Sequence, residues 1–280
     1  MSLVINHNLM AMNANRNLGS AYNDLGVSTR RLSSGLRVGS AADDAAGLAI
    51  RELMRADVKT LNQGIRNAND AISMIQTADG ALGVIDEKLI RMKELATQAS
   101  TGTYNSDQRL IIDSEYQAMA SEITRIANAT DFNGIHLLNG NLSGENSAHS
   151  GAGLTSTGPV KVHFGSGNDS SEDYYYVSIN TSTASALGVG LAANNSISTQ
   201  ALAQASLDKL NDAIISKDKI RANLGALQNR LENTITNLSI QAENVQASES
   251  RISDVDVATE MTEFTKNQIL TQAAVAMLGQ

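Results

Sequence analysis

Cysteine and tryptophan are absent from this chain of 280 residues, proline occurs once, and the aromatic rings come to 3 Phe and 6 Tyr. Without cysteine there are no disulfides and no thiolate metal sites, so composition says nothing about the redox compartment. The poverty in large rings removes the side chains that usually fill globular cores and line ligand pockets. Basic clusters are lacking as well. At a formal charge of -8 the chain offers no concentrated Lys and Arg for phosphates, which excludes a nucleic-acid partner. The N-terminal stretch MSLVINHNLMAMNANRNL has neither the basic start nor the apolar run of a signal peptide. No window approaches a transmembrane span, so no membrane partner is expected. Export, if it occurs, uses another route.

What is present is Leu, Ile, Val, Met and Ala at helical spacing. The apolar positions Val58, Leu61, Ile65, Ala68, Ile72 and Ile75 alternate steps of three and four, skip at Ala78, and resume as Leu82, Ile85, Leu89, Met92, Ala96 and Ala99. This is a coiled-coil seam with one phase slip. A continuous helix from about Asp43 to Ser100 is ~86 Å long at 1.5 Å per residue, which predicts an elongated molecule. A second proline-free seam runs through Leu207, Leu210, Ile214, Ile220, Leu224, Leu227, Leu231, Leu238, Val245 and Ile252. Between them, Asn105 to Ala129 reads as a shorter helix carrying Leu110, Ile111, Met119, Ile123 and Ile126. The expected fold is mainly α: a coiled-coil-like helical rod built from both ends of the chain.

The extreme ends repeat the pattern. Leu18, Tyr22, Leu25, Thr29, Leu32 and Leu36 keep heptad spacing, as do Val257, Met261, Phe264, Gln268, Thr271, Val275 and Leu278. Each is a narrow stripe with too little partner surface to be stable alone, and must be covered by the other or by a neighbouring molecule. From Asn139 to about Ser196 the composition turns to Gly, Ser and Asn. Two short strand candidates there, Val160 to Phe164 and Tyr174 to Ile179, predict an exposed β-hairpin forming a small surface lobe.

Candidate chemistry does not survive inspection. Gly35 and Gly39 are followed by no Lys-Ser or Lys-Thr pair and miss the dinucleotide-binding spacing, so a turn is expected in place of a phosphate cradle. Asp43 and Asp44 could pair as acid and base, but Ser40 with Asp43 fits a helix N-cap with an acid in the first turn. His7, His136, His149 and His163 show no metal-ligand spacing, and no nucleophile motif occurs. No enzyme activity, cofactor or metal is expected.

The segment joining the first two helices, RLSSGLRVGSAADDAAGLAI, closely resembles the N-terminal signature of bacterial flagellins. The match continues through INHNLMAMNANRNL, NQGIRNANDAISMIQTADGAL and ATDFNGIHLLNG, and RISDVDVATEMTEFTKNQILTQA resembles the flagellin C-terminal segment. About four-fifths of the chain is covered, excepting the insert. The resemblance implies a secreted, extracellular structural subunit that polymerises with other copies into the filament of the bacterial flagellum. It divides the chain into an inner-tube helix and spoke at 1–43, a two-helix part of the shell rod at 44–138, and the insert at 139–196. A rod helix at 197–253 and an inner-tube helix at 254–280 follow. Self-assembly falls to Ile5, Leu9, Leu18, Tyr22, Leu25, Leu32, Met261, Phe264, Val275 and Leu278, with Gly35 and Gly39 as the hinge of the spoke.

The same resemblance implies an export chaperone, the type III export apparatus, and the filament cap and junction proteins as partners. It further implies a ligand for the animal Toll-like receptor that recognises flagellin. The receptor motif maps onto Arg91, Lys93, Glu94, Leu95, Ala96 and Gln98, with Lys93 where the family has a second Arg, and Glu115 is the acidic contact on the neighbouring helix. Arg91 and Leu95, one turn apart, would give a charged anchor beside an apolar one. The insert is short, so large variable outer domains are not expected. The family pattern also leads one to expect roughly a dozen residues beyond the final LGQ, or ~18 Å of helix. The rival within the family is the hook-filament junction protein.

Overall fold

The computed structural model describes residues 8–143, 158–190 and 195–279. Five helices account for most of them: α1 (Leu9–Ser34), α2 (Ala45–Ser100), α3 (Ser106–Ala129), α4 (Gln200–Ser253) and α5 (Val257–Gly279). All the periodic segments form helices, and α2 is unbroken through the slip at Ala78. The strands β1 (Asp131–Phe132) and β2 (Ile135–His136) form one antiparallel hairpin, and β3 (Val160–His163) and β4 (Tyr174–Val177) another. The chain forms two compact units, one of residues 1–59 and 241–280, the other of residues 60–240.

In the 60–240 unit the seam of α2 is dry. Leu82, Ile85, Leu89, Met92, Ala96 and Ala99 are all fully buried. The seam also takes in Ala71 and Ala78, and the small side chains there let the stripe pass through the phase slip without a gap. In α3 the buried face is Ile112, Tyr116, Ala120, Ile123 and Ala127, and the predicted members Leu110 and Ile111 point outward. α3 begins on a capping box, Asn105 accepting from the Gln108 N–H while the Gln108 side chain accepts from the Asn105 N–H. Burial drives the Tyr116 hydroxyl up to about 12.

Along α4 the buried stripe runs Leu210, Ala213, Lys217, Ile220, Leu224 and Leu231. Lys217 occupies a seam position with almost no exposure, its Nζ 2.5 Å from Asp86 on α2 and 2.7 Å from Asp218. One turn on, Arg221 holds Asp79 of α2 at 2.7 Å and pulls that carboxyl below its usual range through the hydrogen bond they share. A buried ammonium is tolerable only when paired in this way.

The insert is less exposed than its composition predicts. Val162 and Phe164 of the β3 side and Val177 and Ile179 of the β4 side are buried, and only the opposite face of the hairpin is open. The Asn67 side chain of α2 donates to the His163 carbonyl at 2.8 Å. Beside it, a Cβ on Gly64 would lie 2.0 Å from the Phe164 carbonyl oxygen, so the hairpin backbone rests on a bare stretch of helix.

Candidate self-assembly interface

Within the unit formed by the chain ends, α1 packs against α5. The closed face of α1 is Ala14, Leu18, Ala21, Leu25, Ser28 and Leu32, in steps of three and four. Ala21 and Ser28 are its most buried members. The matching face of α5 is Glu260, Phe264, Asn267, Thr271 and Ala274, with Asn267 and Thr271 buried. The Thr271 hydroxyl is satisfied by donating to the Asn267 carbonyl at 2.7 Å, so its burial leaves no polar group unpaired. Glu260 receives Arg31 at 3.6 Å. A groove of about 380 Å³ runs between the helices, bordered by Ala14, Asn17, Asn267, Leu270 and Met277.

The seam is therefore rotated from the predicted one. Leu18, Leu25, Leu32 and Phe264 lie on it, half-buried, but Tyr22, Met261, Val275 and Leu278 are exposed, as is Leu9; Ile5 lies outside the described residues. The heptad positions of Tyr22 and Thr29 are taken by Ala21 and Ser28, and those of Gln268 and Val275 by Asn267 and Ala274. The most buried positions of the seam thus hold small or polar side chains, which let two helices approach closely. The pair also leaves large apolar side chains open among its exposed polar ones: Leu9, Met10, Met12, Tyr22, Val257, Met261, Ile269, Leu270, Val275 and Met277.

The segment that follows α1 is a latched turn. Gly35 ends α1 in the left-handed conformation, φ 73°, its N–H bonded to the Arg31 carbonyl at 2.8 Å. Leu36 and Asp254 then form an antiparallel bridge, with Arg37 N–H on Ser253 O and Val255 N–H on Gly35 O. Arg51, largely buried, donates to the Val38 carbonyl at 2.5 Å, and the Arg37 guanidinium donates to Ile252 O at 2.9 Å. Gly39, expected as a second hinge glycine, is not among the residues with positive φ, and a Cβ there would meet only Asp43 Oδ2 at 3.9 Å. Its conformation is open to other residues.

The cap is also displaced from Ser40. Asp44 accepts the Gly47 N–H at 2.9 Å and starts α2, while Asp43 accepts the Ser40 N–H and hydroxyl, which lower its carboxyl below the usual range. Neither acid faces the other across a catalytic gap. Each is committed to a turn.

On the 60–240 unit, Arg91 of α2 and Glu115 of α3 meet at 2.8 Å, and Arg91 also reaches Glu94 at 3.0 Å. These partners raise the guanidinium above its ordinary value, Glu115 first. Leu95 is a correction: at 2 % exposure it is a core residue, pointing away from the surface that carries Arg91. Four residues further along an α-helix is not quite a full repeat of the same face, and here the buried stripe includes Leu95 alongside Ala96.

Three features escaped sequence reasoning. The β1–β2 turn, with Asn133 at φ 51° and Gly134 at φ 80°, is the Asn-Gly hairpin that the dipeptide itself signals. Lys217 was marked by the interruption between Ile214 and Ile220 in the apolar stripe. Gly64 left no signal, since its reason lies a hundred residues away in the hairpin.

The family model described as the bacterial flagellin N-terminal helical region matches residues 5–143, and that for the C-terminal helical region matches residues 207–280. The flagellin of Halalkalibacterium halodurans is 43% identical over 278 residues, covering 99% of this chain and 95% of that protein. The flagellar filament 33 kDa core protein of Treponema phagedenis is 41% identical over 281 residues, covering 99% of this chain and 96% of its own. The crystal structure of Bacillus cereus flagellin aligns with a TM-score of 0.50 at 31% identity, over 66% of this chain and 94% of that one. With both terminal helical regions matched and full-length relatives at this identity, the chain belongs to the bacterial flagellin family.

Proposed function

We propose that α1 and α5 pair inside each subunit through their small-residue face and bury their outer apolar faces against neighbouring copies as the extracellular flagellar filament grows. As a flagellin the chain is a structural protein and not an enzyme. One observation carries the assignment of the interface. The large apolar side chains of the paired helices, Leu9, Met10, Ile269 and Met277 among them, point outward, where a lone subunit leaves them wet. Fully burying one such side chain is worth ~1.5 to 3 kcal/mol, so several per subunit supply a driving force for association of helices that are already paired.

The test replaces Leu9 and Ile269 with Asp, both outside the α1–α5 seam, and measures sedimentation after seeding with filament fragments. The double variant should keep its helicity and stay in the supernatant. If it pellets with the seeds as the parent does, these faces are not the interface. Elongation of the parent itself separates a filament subunit from the hook-filament junction protein, which should not elongate.

The same reading includes passage through the export apparatus with its chaperone and contact with cap and junction proteins at the filament ends. It also includes recognition by the flagellin receptor, resting now on the exposed Arg91–Glu115 pair and not on Leu95. Arg91→Ala should lower receptor signalling by tenfold or more, the ~2 kcal/mol of an interface hot spot, without loss of helicity. Signalling equal to the parent's would remove Arg91 from the footprint.

A further inference from the structure

The most exposed methionines lie in the unit formed by the chain ends. In the unit formed by the chain ends, Met10 is 78% exposed and Met277 67%, and Met12 and Met261 are open as well. In the 60–240 unit, Met74 is 4% exposed and Met92 0%. Met54 and Met119 are half-buried. The most exposed thioethers therefore lie on α1 and α5, the helices that also carry the open Leu9, Ile269 and Leu270, and Met277 borders the groove between the two helices. With cysteine absent, these are the most exposed sulfurs among the described residues.

We propose that Met10, Met12, Met261 and Met277 are a peroxide-modified site that switches off self-association of the free subunit. A peroxide transfers one oxygen atom to each thioether sulfur. The sulfur–oxygen bond forms as the peroxide O–O bond breaks, the sulfur gives up an electron pair, and the peroxide leaves reduced, as water when it is hydrogen peroxide. The product is a sulfoxide, a polar group on a side chain that was apolar and flexible. On an exposed helix face the sulfoxide is solvated and costs the subunit little. At an interface that excludes water its oxygen must be desolvated without a partner, which opposes assembly. The inference rests on α1 and α5 being the assembly face. It adds that oxidation acts before assembly, because neighbours in a filament would cover the same four sulfurs.

The test exposes dilute subunit and assembled filament to hydrogen peroxide, maps sulfoxides by peptide mass spectrometry and measures seeded growth. In the free subunit the four sites should oxidise on the order of tenfold faster than Met74 and Met92, with helicity retained. In filaments they should be protected. The critical concentration for growth should rise by about tenfold or more, and treatment with the two methionine sulfoxide reductases should restore it. A variant with all four replaced by Leu should assemble and be indifferent to peroxide.

Oxidation of Met74 and Met92 at the same rate as the four would overturn the site assignment. Growth of oxidised subunit equal to that of untreated parent would overturn the switch alone. Failure of the untreated parent to grow from seeds would instead overturn the assembly reading and the switch with it.

Discussion

Gly64 and Gly80 lie in the same helix and should respond to alanine with opposite signs. A methyl at Gly80 meets nothing within 4 Å, so Gly80→Ala gains the helix propensity that glycine forgoes, about 0.8–1.0 kcal/mol. At Gly64 the same gain competes with a collision: the Cβ falls 2.0 Å from the Phe164 carbonyl oxygen and 2.8 Å from its carbon. Relief requires about 1 Å of separation between α2 and the hairpin, as Cβ contacts under 3.0 Å are essentially never seen. The hairpin cannot swing freely, since Asn67 holds the His163 carbonyl and Phe164 N–H is bonded to Asp173 O at 2.9 Å. Overpacking of this kind costs about 1–3 kcal/mol, so Gly64→Ala should be net destabilising by up to about 2 kcal/mol. Urea unfolding of the monomer followed by circular dichroism compares the two midpoints. If Gly64→Ala unfolds at the same urea concentration as Gly80→Ala or above it, the hairpin does not rest on α2 in the manner described.

Two further outcomes are expected. Gly35→Ala, forced into the left-handed region at φ 73°, should lose about 1–2 kcal/mol, whereas Gly39→Ala should stay within about 0.5 kcal/mol of the parent; equal losses in calorimetry would restore Gly39 as a hinge. The Asp79 carboxyl, lowered by Arg221, contributes stability that is complete above the unfolded carboxylate pKa and is lost as pH falls through the lower folded value. The stability gap between parent and Asp79→Asn should therefore be present near neutral pH and close below about pH 4, and a gap constant down to about pH 3 would show that the Arg221 contact does not set it.

The helices were legible because a 3.6-residue period over tens of residues has few other solutions. Which of two adjacent positions faces the partner was not, because Ala21 and Tyr22 are both tolerable to a periodicity argument and only packing distance chooses between them. The same limit hid Lys217: a charged residue on an apolar stripe is placed outside by pattern, and only Asp86 and Asp218 in three dimensions make its burial affordable. Leu95 was misplaced for a related reason, since a motif assigns roles to positions without saying which way each side chain points. The hairpin was legible from its alternation, but its burial depends on a glycine far off in the sequence.

The choice of residues between α1 and α5 explains how a subunit can be folded and unfinished at once. The most buried positions of the seam are Ala21, Ser28, Asn267 and Thr271, and its large apolar members, Leu18, Leu25, Leu32 and Phe264, are only half-buried, so pairing removes part of the apolar area of the two helices from water. Outside the seam, Leu9, Met12, Ile269 and Met277 are open, while the fully enclosed positions hold small or polar side chains. In the proposed assembly, the apolar area that the chain ends leave open would be removed from water on contact with another copy, so that association and completion of the terminal fold would be one thermodynamic event; the bridge between Leu36 and Asp254 joins the base of the two helices.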